Sequence, residues 1–203
     1  MQVTPTGRAR SMRVHANKNV QTMTDEMLIR RAQAGDSSAV VTLYERYKQR
    51  IYQYLYYRLG EAYLAEDLTT EVFIRVIRGL PQLREANPSL QAWIFQIARN
   101  LATDHLRRAR GRVHAALDER LVDPGPTPEH FAELSVTFDQ LRDALHQLTE
   151  DQREVVLLRF INDLSIEQVV QIMNKSESAI KNLQLRGLRS LNRILSRHQV
   201  VYE

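Results

Sequence analysis

The chain has 203 residues, 43% of them hydrophobic and 26% charged, with seven glycines, six prolines and no cysteine. That composition supports packed helical cores, points away from a disordered or fibrous chain, and excludes disulfides and thiolate metal sites. No uncharged apolar run exceeds four residues, so neither a membrane span nor a secretory core is predicted.

The net charge of +4 is unevenly placed. Residues 1–23 hold four basic groups and no acid, and residues 91–112 hold five arginines against Asp104 alone. Residues 113–174 hold four arginines against twelve acids, and residues 175–198 hold six basic groups against Glu177. Two basic segments thus flank an acidic middle. Basic segments can footprint on phosphate; the alternative is that they only complement helix dipoles.

Residues 1–23 lack apolar periodicity and are expected to form a basic, disordered tail. Order is expected to begin at Thr24, an N-cap followed by Asp25 and Glu26, with Met23 and Leu28 placed as a hydrophobic staple. Leu28, Ala32, Ala39, Leu43, Tyr47, Ile51 and Leu55 recur at helical spacing. Gly35-Asp36 separates a short helix from a long one that Gly60 ends. Seven of the eight tyrosines fall between Tyr44 and Tyr63. They could stack on unpaired bases, but packing a helical core is the favoured reading. A third helix carries Leu68, Val72, Val76 and Leu80 on one stripe and is ended by Gly79 and Pro81. Gln82 to Ser89 reads as a loop. A fourth helix, from about Leu90 to Arg110, places Ile94, Ile97, Leu101 and His105 on one side.

Gly111 to Leu134 changes character, with three prolines and a run of acids. Residues 113–135 are read as an acidic, Pro-rich linker between residues 24–112 and residues 136–198. Extended, such a tether reaches ~80 Å, or about two turns of duplex at ~34 Å each. Beyond it, Phe138, Leu141, Leu145 and Leu148 begin a compact helical unit. TEDQ (Thr149 to Gln152) and SIEQ (Ser165 to Gln168) both read as capping boxes. Asn174-Lys175 is a tight turn between a short helix and one capped by Ser176. In that last helix Ile180, Leu183, Gly187, Leu191 and Ile194 form a core side, with Gly187 allowing close helix approach. Ser178, Lys181, Asn182, Leu185, Arg186 and Arg189 form another side, carrying donors, one apolar contact and cations. The fold class is therefore all-α: two small helical domains joined by a flexible linker, the C-terminal one containing a helix-turn-helix. A plain helical hairpin with a solvated basic face is the alternative for that last unit.

RAQAGD with LYERYKQRIYQYLYYRLG, AEDLTTEVFIRVIRGLP, AWIFQIARNLATDHLRR, LTEDQREVVLLRF and SIEQVV…SESAIKNLQLRGLRSL occur in that order. Together they resemble the extracytoplasmic-function sigma factors of bacterial RNA polymerase. The resemblance covers nearly all of Thr24 to Ser196. It implies that residues 24–112 correspond to sigma region 2 and residues 136–198 to region 4. Asp67, Glu71, Arg75 and Arg78 are then expected to dock on core polymerase, made by its largest and second-largest subunits. Asn87, Trp93, Asn100, Arg107 and Arg108 are expected to contact the minus-ten element. Arg159, Ser178, Lys181, Asn182, Leu185 and Arg186 are expected at the minus-thirty-five element. Asn174 stands where the family often has glycine, and Val170 and Gly187 stand where it often has alanine. The partners implied are core polymerase, promoter DNA and an anti-sigma factor. The setting implied is the cytoplasm, at the nucleoid. No cofactor is expected. An enzyme is not expected either: the sequence has no phosphate-cradling glycine loop and no paired histidines for a metal. The rival readings are a stand-alone helix-turn-helix regulator, which would dimerise and bind duplex without polymerase, and a pure interaction protein that sequesters another factor.

Overall fold

The structure is a computed structural model that describes residues 23–83, 89–115 and 135–199. Among the described residues the regular elements are helical. Asn87 and most of residues 113–135 lie outside the described residues, as does nearly all of the basic tail.

Helix α1 (Asp25–Gln33) starts where Thr24 Oγ1 accepts from the Met27 amide, with Asp25 and Glu26 at the positive end of the helix dipole. Met23 packs on Leu28 as the staple requires. Gly35 adopts φ 88°, a left-handed value that favours glycine, and lets the chain reverse. Asp36 then caps α2 (Ser37–Leu59) by accepting from the Ser38 amide at 2.9 Å. Arg31 closes the corner with an ion pair to Asp36 at 2.5 Å. The Ser38 and Arg31 hydrogen bonds hold the Asp36 carboxyl down at about 2. Helix α2 ends at Gly60, φ 84°, whose amide donates to the Tyr56 carbonyl.

Helix α3 (Ala62–Gly79) packs along α2 and buries Ala65, Val72, Phe73 and Val76. Gly79 does not act as a left-handed cap: its φ is −86°. A Cβ there would lie 2.8 Å from Cζ2 of Trp93, so glycine is needed for the indole to lie against the helix. A single 3-10 turn, Leu80–Gln82, follows with Pro81 inside it. Gln33 Nε2 ties α1 to this turn, donating to the Leu80 carbonyl at 2.9 Å and the Leu83 carbonyl at 2.8 Å. Helix α4 (Leu90–Ala115) runs a few residues past the expected end near Arg110. It buries Ile94, Phe95, Ala98 and Leu101, and the Phe95 ring meets Tyr54 edge-on at 5.6 Å. Tyr47, Tyr54 and Tyr57 are buried, as the core reading of the tyrosines predicts, while Tyr44 and Tyr63 are exposed.

Helix α5 (Ser135–His146) opens the second half. Thr149 occupies the N-cap position of α6 (Glu150–Val156), but its side chain makes no capping hydrogen bond. The expected TEDQ capping box is therefore absent. Arg153 fixes the turn instead, donating to the carbonyls of Leu145 and His146 at the end of α5 and of Leu148 just beyond it. Helix α6 continues as a π turn, Leu157–Ile161, closed by the Asn162 amide and side chain on the Leu157 carbonyl. π turns often mark functional places. Asp163 follows at φ 49°, a left-handed kink. Helix α7 (Ile166–Met173) carries the full capping box: Ser165 Oγ accepts from the Gln168 amide, and Gln168 Oε1 accepts from the Ser165 amide. Asn174 adopts φ 51° and ψ 48°, the left-handed turn that suits asparagine. Ser176 Oγ then accepts from the Ala179 amide at the start of α8 (Glu177–Gln199). Ile180 and Ile194 of α8 are buried, and Leu183 and Leu191 pack against the core.

The two halves share one core. Buried residues of α2, α3 and α4 are continuous with those of α6, α7 and α8. Sequence periodicity gave each half its own apolar side but did not reveal that they meet.

Candidate nucleic-acid and polymerase interfaces

Helix α8 exposes the predicted stripe. Ser178, Lys181, Asn182, Leu185 and Arg186 are all solvent-exposed, while Ile180 is fully buried on the other side of the helix. The separation arises because residues three and four apart share a face. Lys181 pairs with Glu177 at 2.5 Å, a bond that raises its pKa. Ser178 Oγ lies 3.1 Å from Ser176 Oγ. Leu185 is a large apolar side chain left half in water, as a contact for a thymine methyl would be.

Arg159 is placed differently from the other members of this set. It sits in the π turn, where its guanidinium donates to the Leu164 carbonyl and reaches Gln184 Oε1 at 3.4 Å. It is thus a strut that joins the π turn to α8 and fixes the entry into α7. Glu167, near Arg159 and Lys181, has a lowered pKa because Ser165 hydrogen-bonds its carboxylate. It marks the acidic edge of an otherwise cationic face.

Helix α4 presents the second set. Asn100, Arg107 and Arg108 are exposed, and Arg107 pairs with Asp104 at 2.8 Å while remaining largely in water. Trp93 is half-buried against Gly79. Arg99 points elsewhere: its Nε lies 3.7 Å from the Glu154 carboxylate.

Helix α3 carries the third set. Asp67, Arg75 and Arg78 are exposed and Glu71 is partly exposed, one to two turns apart on one side. Arg75 pairs with Glu71 at 2.8 Å. Ile74 and Ile77 are exposed on the same helix, and helical spacing sets them beside this charged side, not within it.

Apart from Arg159 in the π turn, the described members of the three sets lie on three different helices. Several residues with specific geometry were not singled out from sequence. Glu154 and Arg58 are 2% and 3% exposed and form a buried ion pair. Tyr54 donates to Glu154 at 2.5 Å. Arg50 donates to the Asn162 carbonyl, and its guanidinium lies over Phe95. The available signal was a charged residue inside each of two apolar stripes, Arg58 beside Leu55 and Leu59, and Glu154 beside Val155. Among the described residues, no group of three or more His, Cys, Asp or Glu side chains could hold a metal ion. None of the described helices is long and apolar enough to cross a membrane.

Comparison with known proteins matches this geometry to a class. Residues 43–112 match Sigma-70 region 2 and residues 138–191 match Sigma-70, region 4. The chain is thus built on the two-part plan of sigma-70 transcription initiation factors. It is 39% identical over 170 residues to the ECF RNA polymerase sigma factor BldN of Streptomyces coelicolor, covering 83% of this chain and 64% of BldN. It is 36% identical over 157 residues to the ECF RNA polymerase sigma factor SigX of Bacillus subtilis, covering 74% of this chain and 80% of SigX. Its fold superposes with a TM-score of 0.67 on the sigma factor RpoE of Bartonella quintana, solved with the anti-sigma factor NepR, at 20% identity over 75% of this chain and 94% of that one. The chain belongs to the ECF sigma factors of RNA polymerase.

Proposed function

We propose that this chain directs core RNA polymerase to promoters bearing two spaced elements and starts transcription there, without catalysing a reaction itself. The observation that carries the reading is the exposed stripe Ser178, Lys181, Asn182, Leu185 and Arg186. It lies on the second helix of a helix-turn-helix whose turn at Asn174 is left-handed. That helix would enter the major groove at the minus-thirty-five element, with side chains suited to guanine, adenine and the thymine methyl. Arg159, whose guanidinium reaches Gln184 on the same helix, would join this contact from the π turn.

Residues 24–112 act as the region 2 unit. Trp93, Asn100, Arg107 and Arg108 of α4 would hold the minus-ten element, together with Asn87. Taking a base out of the stack costs a few kcal/mol, which an aromatic surface and neighbouring cations can offset. Asp67, Glu71, Arg75 and Arg78 would line the docking face on α3 for the polymerase. Residues 113–135 act as the tether between the two units. The protein would work in the cytoplasm, at the nucleoid. An anti-sigma factor is the remaining proposed partner, as RpoE has in NepR.

The test is initiation from a promoter library with core polymerase, with and without the chain. Transcripts that depend on the chain and share two spaced sequence elements support the reading. Duplex binding by the chain alone, with no transcript, would favour the stand-alone regulator.

A further inference from the structure

One acid stands on the face of α8 that carries the predicted DNA contacts. Residues 175–198 hold six basic groups and the single acid Glu177. A carboxylate repels phosphate, so its presence there calls for a reason. Folding does not supply one. Glu177 Oε1 and Lys181 Nζ form an i,i+4 pair at 2.5 Å with both side chains 58% exposed, and an exposed pair of this kind adds little to stability. Lys175, two residues earlier, is taken by Asp151 at 3.1 Å and does not compete for the carboxylate. Ser176 Oγ accepts from the Ala179 amide, so the pair projects from a capped first turn.

The chemistry of the pair matches the edge of one base pair. In the major groove cytosine offers a donor, its N4 amino group, and the guanine opposite offers two acceptors, O6 and N7. N4 and O6 are hydrogen-bonded to each other in the duplex and stand ~2.9 Å apart. That is close to the separation of the Glu177 and Lys181 charges. The carboxylate can accept from N4 while the ammonium donates to O6 or N7, and the ion pair need not break. An A·T pair is a poorer match. The adenine N7 acceptor lies beside its amino group and repels the second carboxylate oxygen, and thymine offers one acceptor and a methyl group. The pair also has no net charge, so it can select a base pair without adding to the sequence-independent affinity that unpaired cations supply.

We propose that Glu177 and Lys181 act as one unit that reads a C·G base pair in the minus-thirty-five element, with Glu177 the residue that sets the preference for cytosine. The proposal rests on the promoter-binding reading given above, in which α8 enters the major groove. Without Glu177, Lys181 becomes a plain cation that any phosphate can hold.

The test is selection from a duplex library, randomised over the upstream element, by holoenzyme assembled from core polymerase and the full chain. The wild-type chain should enrich cytosine about tenfold at one upstream position. Glu177→Gln keeps the size of the side chain, removes its charge and supplies an amide suited to N6 and N7 of adenine. Enrichment at that position should move from cytosine to adenine while the other positions hold. Glu177→Ala should leave the position without preference. On duplex that lacks the element, the Lys181 freed in Glu177→Gln should steepen the slope of log affinity against log salt by about 0.9, and Glu177→Asp, which keeps the charge, should leave that slope unchanged. A pair that only steadied α8 would move none of these readouts. Cytosine enrichment that persists in both Glu177→Gln and Glu177→Ala would overturn the proposal and leave the promoter-binding reading intact. Failure of the wild-type holoenzyme to enrich any upstream element would overturn both.

Discussion

Gly187 tests whether the packing of α8 on α6 is as tight as the structure places it. Helix propensity alone says that Gly187→Ala should stabilise the protein by about 1 kcal/mol, because glycine is poor inside a helix. The structure predicts the opposite sign. A Cβ at Gly187 would lie 3.1 Å from Cγ2 of Val156 and 3.3 Å from the Gln152 carbonyl oxygen. Val156 is buried in the core and the carbonyl is backbone, so neither yields as a flexible side-chain tip would. Overpacking of this kind costs about 1–3 kcal/mol. Set against the propensity gain, the net is a loss of about 1 kcal/mol, or a Tm lower by about 2–4 °C for a chain of this size. Urea unfolding followed by circular dichroism measures it, with an unchanged m-value showing that only stability moved. Val156→Ala should relieve the crowding, so the double variant should lose less than the sum of the single losses. A Gly187→Ala protein that is more stable than wild type by about 1 kcal/mol, with additive behaviour toward Val156→Ala, would refute the close approach.

Ser165→Ala removes one half of the capping box and should cost about 1 kcal/mol, whereas Ser165→Asp should largely retain the cap; equal losses in urea unfolding would show that the box is not what holds α7. Arg186→Ala should lower the slope of log affinity against log salt by about 1 if it meets a phosphate; Lys181→Ala should weaken dependence on the minus-thirty-five element, and for both variants core binding should be unchanged in a pull-down. Reversing charge at Asp67 and Glu71 to Lys should weaken assembly with core polymerase by about tenfold, a change of about 1.4 kcal/mol, while duplex binding by α8 stays intact. His146 carries a pH prediction. Its pKa is lowered from 6.5 by burial first, then by Arg153 and Arg142, and is partly restored by Asp143. The folded protein therefore binds this proton less readily than the unfolded chain. Stability should be fully present above pH 6.5 and fall as pH drops below it, and His146→Gln should flatten that part of the Tm–pH curve.

The local structure was largely legible in the sequence, because caps and turns are set by neighbours in the chain. Thr24, Asp36, Gly60, Ser165 and Asn174 each do what their residue types and positions predict. The exposed stripe of α8 was legible for the same reason, since helical spacing fixes which residues share a face. Two kinds of feature were not. The π turn at Leu157–Ile161 depends on bonds five residues apart and on Asn162 turning its amide back to Leu157, and no apolar period encodes that. The bonds that Arg159 makes from this turn to the Leu164 carbonyl and Gln184 are equally unannounced by the apolar period. The junction between halves was invisible as well, since Tyr54 and Glu154 are 100 residues apart in the chain. Each is an ordinary member of its own helix until the halves meet. Thr149 shows the limit of motif reading from the other side: the TEDQ pattern is present, but Arg153 satisfies the turn and the cap does not form.

The most direct measurement is run-off transcription by bacterial core polymerase on a randomised promoter library, with and without this chain. Transcripts should appear only with the chain and share two sequence elements about two helical turns apart. Loss of the upstream element's enrichment in Lys181→Ala would assign that element to α8. No chain-dependent transcript, despite stable assembly with core polymerase, would contradict the account.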